Sequence, residues 1–292
     1  MIAFGSAIVD PEAYRRFAEP GIRRVAEPDS VVLPFHAVGT LSRGYNVVLD
    51  AAARLEGLEA LVLVDPRVEL TDPGFCDAVR AALADPEVGV AGVVGAGGVR
   101  TIAWWDGEVS CGPLRHRYHE HGGGELDAYA WTRPRPAGAD VDMVAGFLLA
   151  LTPWAVESGR FDERLPGGQG YDVDFGRRVR DAGKRVRTAP FAAVHHRALD
   201  IVPVRDEAIF VEGHIHAALA GAPPEDDPGW KARARRAEAE REAARTLAYS
   251  NELRSDAEVL GLQRELDAMT ASPWWRATAP LRAVNRLRRR RA

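Results

Sequence analysis

The sequence has 292 residues, with 38 Lys and Arg against 42 Asp and Glu, a formal net charge of -4. Hydrophobic residues make up 46% and charged residues 27%, enough for one large domain with appendages or two small ones. The acidic balance excludes binding nucleic acid by overall charge, and two lone cysteines, Cys76 and Cys111, exclude a disulfide framework and point to a reducing compartment.

The N-terminal apolar run lacks a basic leader and is cut short by Asp10, so no secretory signal is expected and the protein is placed in the cytoplasm. Ile2 to Val9 reads as a buried strand. Asp10-Pro11 supplies an N-cap and a proline at the first helical position, opening a helix to about Val25. Ser30 to Phe35 is a second strand, Gly39 to Gly44 a loop and Tyr45 to Leu55 a helix. Leu58 to Val64 is a third strand, stopped at Asp65-Pro66. Pro73 to Ala84 is helical, and Val88 to Val94 is a fourth strand. Strands alternating with helices predict βαβ units and a mostly parallel sheet, an α/β fold.

From Gly95 to Gly138 the periodicity fades. Gly95-Ala96-Gly97-Gly98 lacks the spacing of a dinucleotide fingerprint and reads as a flexible loop. His116, His119 and His121 lie in this irregular stretch. Without a cysteine or a spaced partner they read as a solvated loop rather than a zinc site. Val141 to Leu151 predicts one strand. It opens the longest apolar stretch, Met143 to Val156, which is too short to span a bilayer and contains Pro153. Tyr171 to Ala182 is a helix, followed by extended segments at Arg185 to Pro190 and Ala192 to His196. A linker composition at Gly221 to Gly229 closes a domain of residues 1–222. Residues 223–270 hold that linker and a long helical arm, polar apart from one stripe at Val259, Leu262, Leu266 and Met269. Residues 271–292 form a basic tail.

Open α/β sheets bind ligands beyond the carboxyl ends of their strands, which directs the search to Asp10, Phe35-His36, Asp65-Pro66-Arg67 and Gly95 to Gly98. Three stretches then resemble bacterial family 2 glycosyltransferases of the GT-A fold. Gly44-Tyr45-Asn46, running into Ala51-Ala52-Ala53, resembles their donor-side helix. Leu61 to Leu70 resembles the strand that ends in their DxD-type motif. Phe161-Asp162-Glu163, Gly170-Tyr171-Asp172-Val173-Asp174-Phe175, Arg178 to Gly183 and Val194-His195-His196 resemble their acceptor-side and catalytic region. Gly98-Val99-Arg100 with Trp104-Trp105-Asp106-Gly107 is similar to one branch of that superfamily. The match keeps the family's order across residues 1 to 222.

The resemblance implies a Rossmann-like, mostly parallel sheet flanked by helices, with a helical arm beyond it. It implies transfer of a sugar from a nucleotide-sugar donor to a hydroxyl of a glycan or lipid-linked acceptor, with inversion, in cell-envelope or surface polysaccharide synthesis. Asp172 takes the place of the catalytic base and Asp174 that of the supporting acid. Tyr45, Asn46, Asp65 and Arg67 fall on the donor side, and Asp142, Gly146, Trp104 and Trp105 on the acceptor side. The candidate metal ligands are Asp65, His195 and His196. Mg²⁺ or Mn²⁺ is doubtful, however, because Arg67 stands where the family places its metal-binding acid, and a hard cation wants several oxygens. Arg67 could instead pair with the donor diphosphate, bridge to Asp65 or Glu69, or mark a loss of catalysis.

Plainer readings stand beside these. Asp172 and Asp174 both suit a helix N-terminus through its dipole, His195 and His196 suit ordinary packing, and Trp104 or Trp105 suits a core. The tail, Pro273-Trp274-Trp275-Arg276-Ala277-Thr278-Ala279-Pro280-Leu281-Arg282, resembles a short motif of bacterial surface-polysaccharide enzymes. It reads either as an interfacial helix at an anionic membrane surface or as a disordered basic end, and the arm suggests self-association. Two rival functions remain: a catalytically silent GT-A-like binding module, and a nucleotidyltransferase, which would want a basic glycine-rich loop that Val9 to Glu12 does not supply.

Overall fold

The computed structural model describes residues 1–36, 40–100, 104–118, 124–165, 170–197 and 259–277. The chain opens with β1 (Ile2–Ile8), whose seven residues are all buried. Asp10 then caps α1 (Pro11–Ala13), a π-helical turn follows at Tyr14–Ala18, and α2 (Glu19–Val25) completes the expected helix. Next come β2 (Val31–His36), α3 (Leu41–Ala52), β3 (Ala60–Val64), β4 (Val68–Leu70), α4 (Phe75–Leu83) and β5 (Val88–Gly92). The helix expected from Tyr45 begins earlier, because the Thr40 hydroxyl accepts from the Arg43 amide and caps it there.

Two apolar runs that predict single strands are each divided between sheets. Val88 to Val94 leaves the first sheet after Gly92 and continues as β6 (Val94–Gly97), so the expected glycine loop is a strand. Gly95 lies so close to its neighbour strand that a Cβ there would sit 2.2 Å from the Met143 carbonyl oxygen. The irregular stretch contains β7 (Glu108–Cys111), β8 (Leu114–Tyr118), β9 (Gly124–Asp127) and β10 (Arg135–Pro136). Val141 to Leu151 is three short strands, β11 (Asp140–Val141), β12 (Met143–Val144) and β13 (Leu148–Leu151). After them come α5 (Pro153–Ser158), α6 (Tyr171–Asp181), β14 (Arg185–Thr188) and β15 (Ala193–Arg197). Of the expected arm and tail, residues 259–271 are helical and α7 (Pro273–Ala277) follows; the rest of both, and the linker at Gly221 to Gly229, lie outside the described residues.

The main sheet has the order β11-β14-β5-β13-β3-β1-β2. Five of its seven strands point the same way, while β13 and β11 run against them. One face carries a core of Phe4, Ile22, Val62 and Phe75 under α2 and α4; the other carries Tyr45, Leu49, Leu63 and Phe175 under α3, α5 and α6. A mostly parallel α/β sheet flanked by helices is therefore present, as the resemblance implies. Two four-stranded sheets, β10-β7-β6-β12 and β4-β15-β8-β9, pack beside it. Among the described residues no helix is long and apolar enough to cross a membrane.

Candidate functional site

The carboxyl ends of β1 and β3 set the place. Because β13 runs antiparallel to β3, with Leu148 opposite Val64, the residues just before β13 arrive at the same edge. There the Asp65 amide donates to the Phe147 carbonyl at 2.9 Å, which ties the two connections together. Asp65 Oδ1 accepts from the Arg67 amide at 2.8 Å in a tight turn. Burial raises the Asp65 pKa, while the Arg67 amide and charge act to lower it.

Arg67 reaches back across this edge. Its guanidinium donates to Asp10 Oδ2 at 3.3 Å, while Asp10 Oδ1 accepts from the Ala13 amide at 3.0 Å. The Ala13 amide first, and the Arg67 side chain after it, hold the Asp10 carboxyl below its ordinary range. Asp10 is thus both the helix cap expected of it and the counter-charge of Arg67. The second role follows from two strands ending side by side, which no local pattern reports.

Asp172 comes from the opposite side. Gly170 adopts φ 70°, a left-handed conformation that turns the chain into α6. In the first turn of that helix, Asp172 Oδ1 accepts from the Val173 amide at 2.9 Å, and Oδ2 accepts from the Gly146 amide at 3.0 Å. Burial raises the Asp172 pKa, opposed by the amides of Gly146 and Val173. The carbonyl of the same residue, Gly146, accepts from the Tyr45 hydroxyl at 3.3 Å. Position 146 has no room for a side chain, since a Cβ would lie 2.3 Å from the Tyr171 hydroxyl. Tyr45, Gly146, Tyr171 and Asp172 therefore form one unit, with Asp65 joined to it through Phe147. Tyr45 is wholly buried and packs on Phe161 and Tyr171, so its side chain acts on the site through the Gly146 peptide. Burial raises the pKa of both tyrosines, which keeps them protonated.

Three other candidate residues are engaged as anchors. Asn46 donates to the Phe161 carbonyl at 3.0 Å and to Glu163 at 2.9 Å, and accepts from the Phe161 amide at 2.9 Å. That uses both its donors and its acceptor to clasp the segment before α6. Asp142 accepts from the Val99 amide at 3.0 Å and pairs with Arg180 at 3.0 Å. Asp174 is 0% exposed, held by Arg177 at 3.0 Å and Arg178 at 2.6 Å. Arg178 continues to Asp162 at 3.1 Å, and Asp162 pairs with Arg164 at 2.6 Å. The Arg164 side chain foremost, with its amide, keeps the Asp162 carboxyl well below the usual range. Asp174→Asn should leave two guanidinium groups short of a buried partner and lower stability by about 3 kcal/mol, read from the urea midpoint. A midpoint equal to that of the parent would rule out this anchoring role.

The aromatic candidates lie in one row of rings. Trp105 meets Trp104 at 5.6 Å, Trp104 meets Tyr129 at 5.0 Å, and Tyr129 meets His116 at 5.1 Å. His116 then meets His195 at 5.7 Å, and His195 lies on Phe147 at 4.5 Å. Trp104 is 6% exposed and sits in the core, with Trp105 half-buried beside it. His116 is buried on β8, so the expectation of a solvated loop fails there; burial holds its pKa down to about 3. His119 and His121 lie outside the described residues. Burial likewise drives His195 well below the ordinary histidine range, and its Nδ1 is buried without a hydrogen-bond partner. His196 stacks on Phe17 at 3.7 Å and shares a hydrogen bond with Glu69 at 3.1 Å. Its amide donates to the Arg67 carbonyl at 2.8 Å, which fixes β15 beside the Arg67 turn.

The chain is similar in sequence to StrF. This streptomycin biosynthesis protein of Streptomyces griseus is 29% identical over 200 residues, 67% of this chain and 66% of its own length. The match thus spans just under two thirds of that relative. No family model matches the sequence. Similar solved structures include TarS residues 1–349 of S. aureus, at TM-score 0.45 and 10% identity, covering 77% of this chain and 67% of that one. They also include the mannosyltransferase PcManGT of Pyrobaculum calidifontis with GDP-Man and Mn²⁺, at TM-score 0.43 and 15% identity, covering 97% of this chain and 83% of that one. GalNAc-T7 with UDP, GalNAc and Mn²⁺ is similar at TM-score 0.44 and 9% identity, over 68% of this chain and 44% of its own.

The donor set beside Asp65 can be weighed against a divalent cation. Hard cations take about six oxygen ligands. Here the carboxylates of Asp65 and Asp10 are offered, with the Arg67 guanidinium bonded to Asp10 and its charge acting on Asp65. His196 is turned to Glu69, and His195 packs tilted against Phe147. Among the described residues no three His, Cys, Asp or Glu side chains are grouped to hold a metal ion. This donor set does not fit a hard divalent cation.

Proposed function

We propose that this chain is a GT-A-type glycosyltransferase that moves a sugar from a nucleotide-sugar donor to a hydroxyl of a glycan or lipid-linked acceptor, with inversion. The observation that carries the reading is the meeting of Asp172 and Arg67 at one sheet edge, joined through Gly146, Phe147 and Asp65. In this reading Asp172 takes the proton from the acceptor hydroxyl as its oxygen attacks the anomeric carbon. The bond from that carbon to the donor phosphate breaks, and the electron pair leaves with the diphosphate. Arg67 pairs with the charge that develops there, as a fork of donors suited to phosphate oxygens. The partly exposed rings of that row, Trp105, Tyr129 and Phe147, would give the acceptor side apolar faces against which a sugar can stack.

The test is a panel of UDP-, GDP- and dTDP-sugars, first for binding and then for transfer. Acceptors should include a lipid-linked glycan and a soluble small molecule of the streptomycin type, since the StrF relative is named for that pathway. One nucleotide class is expected to bind and to release free nucleoside diphosphate when acceptor is present. A donor that binds but is never consumed would favour the silent module instead, for which Arg67 at the acid position already speaks.

A further inference from the structure

Among the described residues nine large apolar side chains are exposed, and six of them fall on one short stretch: Val259, Leu260, Leu262, Leu266, Met269 and Trp274. Each is at least 54% exposed, and Trp274 is 81% exposed. Contiguous exposed apolar surface on a water-soluble chain marks a site of contact. The positions 259, 262, 266 and 269 recur at helical spacing and form one stripe, with Arg264 and Asp267 turned away from it.

Ser272 joins this helix to α7 on both sides. Its amide and hydroxyl donate to the Met269 carbonyl at 3.2 and 2.7 Å, and its hydroxyl accepts from the Trp275 amide at 3.2 Å. The bend carries Trp274 and Trp275 on directly from the stripe. Charge then changes abruptly. No acid follows Asp267, while Arg276, Arg282, Arg286 and Arg288 to Arg291 do.

We infer that residues 259–277 form a docking element for an anionic phospholipid surface, with the apolar stripe and Trp274 entering the interface and the arginine-rich sequence that follows supplying the positive charge. An apolar stripe, interfacial tryptophans and a run of one charge sign are what such a surface selects. A second copy of the chain fits less well. Four stripe positions make about two heptads, short for a stable two-stranded coil, and two arginine runs side by side repel each other. The inference is independent of the transferase reading, because its test contains neither donor nor acceptor.

The experiment is co-sedimentation of the full chain with phosphatidylglycerol-containing vesicles and with pure phosphatidylcholine vesicles. Binding is expected to the first and not to the second, and should fall steeply with added salt. Leu262→Asp with Leu266→Asp should reduce the partition coefficient at least tenfold. Replacing Arg288 to Arg291 by Gln should reduce it about fivefold per charge removed. Leu262 and Leu266 are exposed, so circular dichroism of the stripe variant should be unchanged. Equal binding to neutral vesicles, or no loss in the stripe variant, would overturn the inference. A chain that ignores both vesicles but sediments as a dimer, dissociated by the Leu262 and Leu266 changes, would assign the stripe to a second copy.

Discussion

Replacing Asp172 by Asn is expected to cut sugar transfer by about 10²–10⁴-fold, the range for a lost general base. Asn keeps the size, but with one acceptor oxygen where Asp172 uses two it can keep only one of the amide bonds from Gly146 and Val173, and it cannot take a proton. The effect should fall on turnover, with nucleotide-sugar affinity little changed, because the base faces the acceptor. Stability gives an independent control. Burial raises the Asp172 pKa in the fold. The contribution of this carboxyl to stability is therefore present below its unfolded pKa and is lost as pH rises through the folded one. At neutral pH Asp172→Asn escapes the cost of a buried charge but leaves one backbone amide without its acceptor. The two effects oppose each other, so the urea midpoint should stay close to the parent's while the variant is nearly inactive. The same direction of shift fixes the pH profile. Transfer requires the ionised carboxylate, so its acid limb should lie above the usual aspartate value of about 3.9 and disappear from what activity the variant retains. A fully active Asp172→Asn, or an acid limb that survives the substitution, would remove Asp172 from the role of base.

What the sequence disclosed about this site divides along physical lines. β1 and β3 were legible because parallel strands buried on both faces are continuous apolar runs. Their carboxyl ends, and so Asp10 and Asp65, followed directly. The divisions after Gly92 and within Val141 to Leu151 were not legible. An apolar run reads the same whether it stays in one sheet or passes between two, and only the close approach of Gly92 and Gly95 to Val144 and Met143 distinguishes them. The strands β7 to β9 are short and partly polar, as Leu114–Tyr118 with its two arginines illustrates, so their pairing rests on partners remote in sequence. The inward orientation of Tyr45 could have been read. Tyr45, Val48, Leu49 and Ala52 lie at i, i+3, i+4 and i+7, the spacing of one buried helix face, and all four are buried. The position of Asp172 was marked by Gly170 and the motif around it. Its amide partner at Gly146 lies 26 residues away and belongs to tertiary structure alone. So does the clasp of Asn46 on Phe161, 115 residues distant.

Arg67→Ala is expected to lower transfer by about 10²–10³-fold, the loss usual for removing one fixed donor to a charge that develops in the transition state. The reasoning starts from position. Arg67 is 47% exposed, held by one contact at 3.3 Å to Asp10, and its backbone is pinned by Asp65 and by the His196 amide. A pinned backbone under a lightly paired guanidinium gives a cation that is fixed in place yet able to exchange Asp10 for diphosphate. An exposed pair of this kind contributes at most about 1 kcal/mol to stability, so the variant should fold normally. Its loss should appear both in donor affinity and in turnover, since the diphosphate is bound in the ground state and gains charge as the bond breaks. Arg67→Lys should recover only part of the activity, because an ammonium offers a point charge without the bidentate fork. The companion measurement is a chelator. The donor set at this edge supplies two carboxylates, Asp65 and Asp10, the second already paired with Arg67, where a hard cation takes about six oxygens, so EDTA should change transfer by less than about threefold. If EDTA abolishes transfer and Mn²⁺ restores it while Arg67→Ala stays active, charge neutralisation at the diphosphate belongs to a metal held by other ligands, and Arg67 is no more than the partner of Asp10.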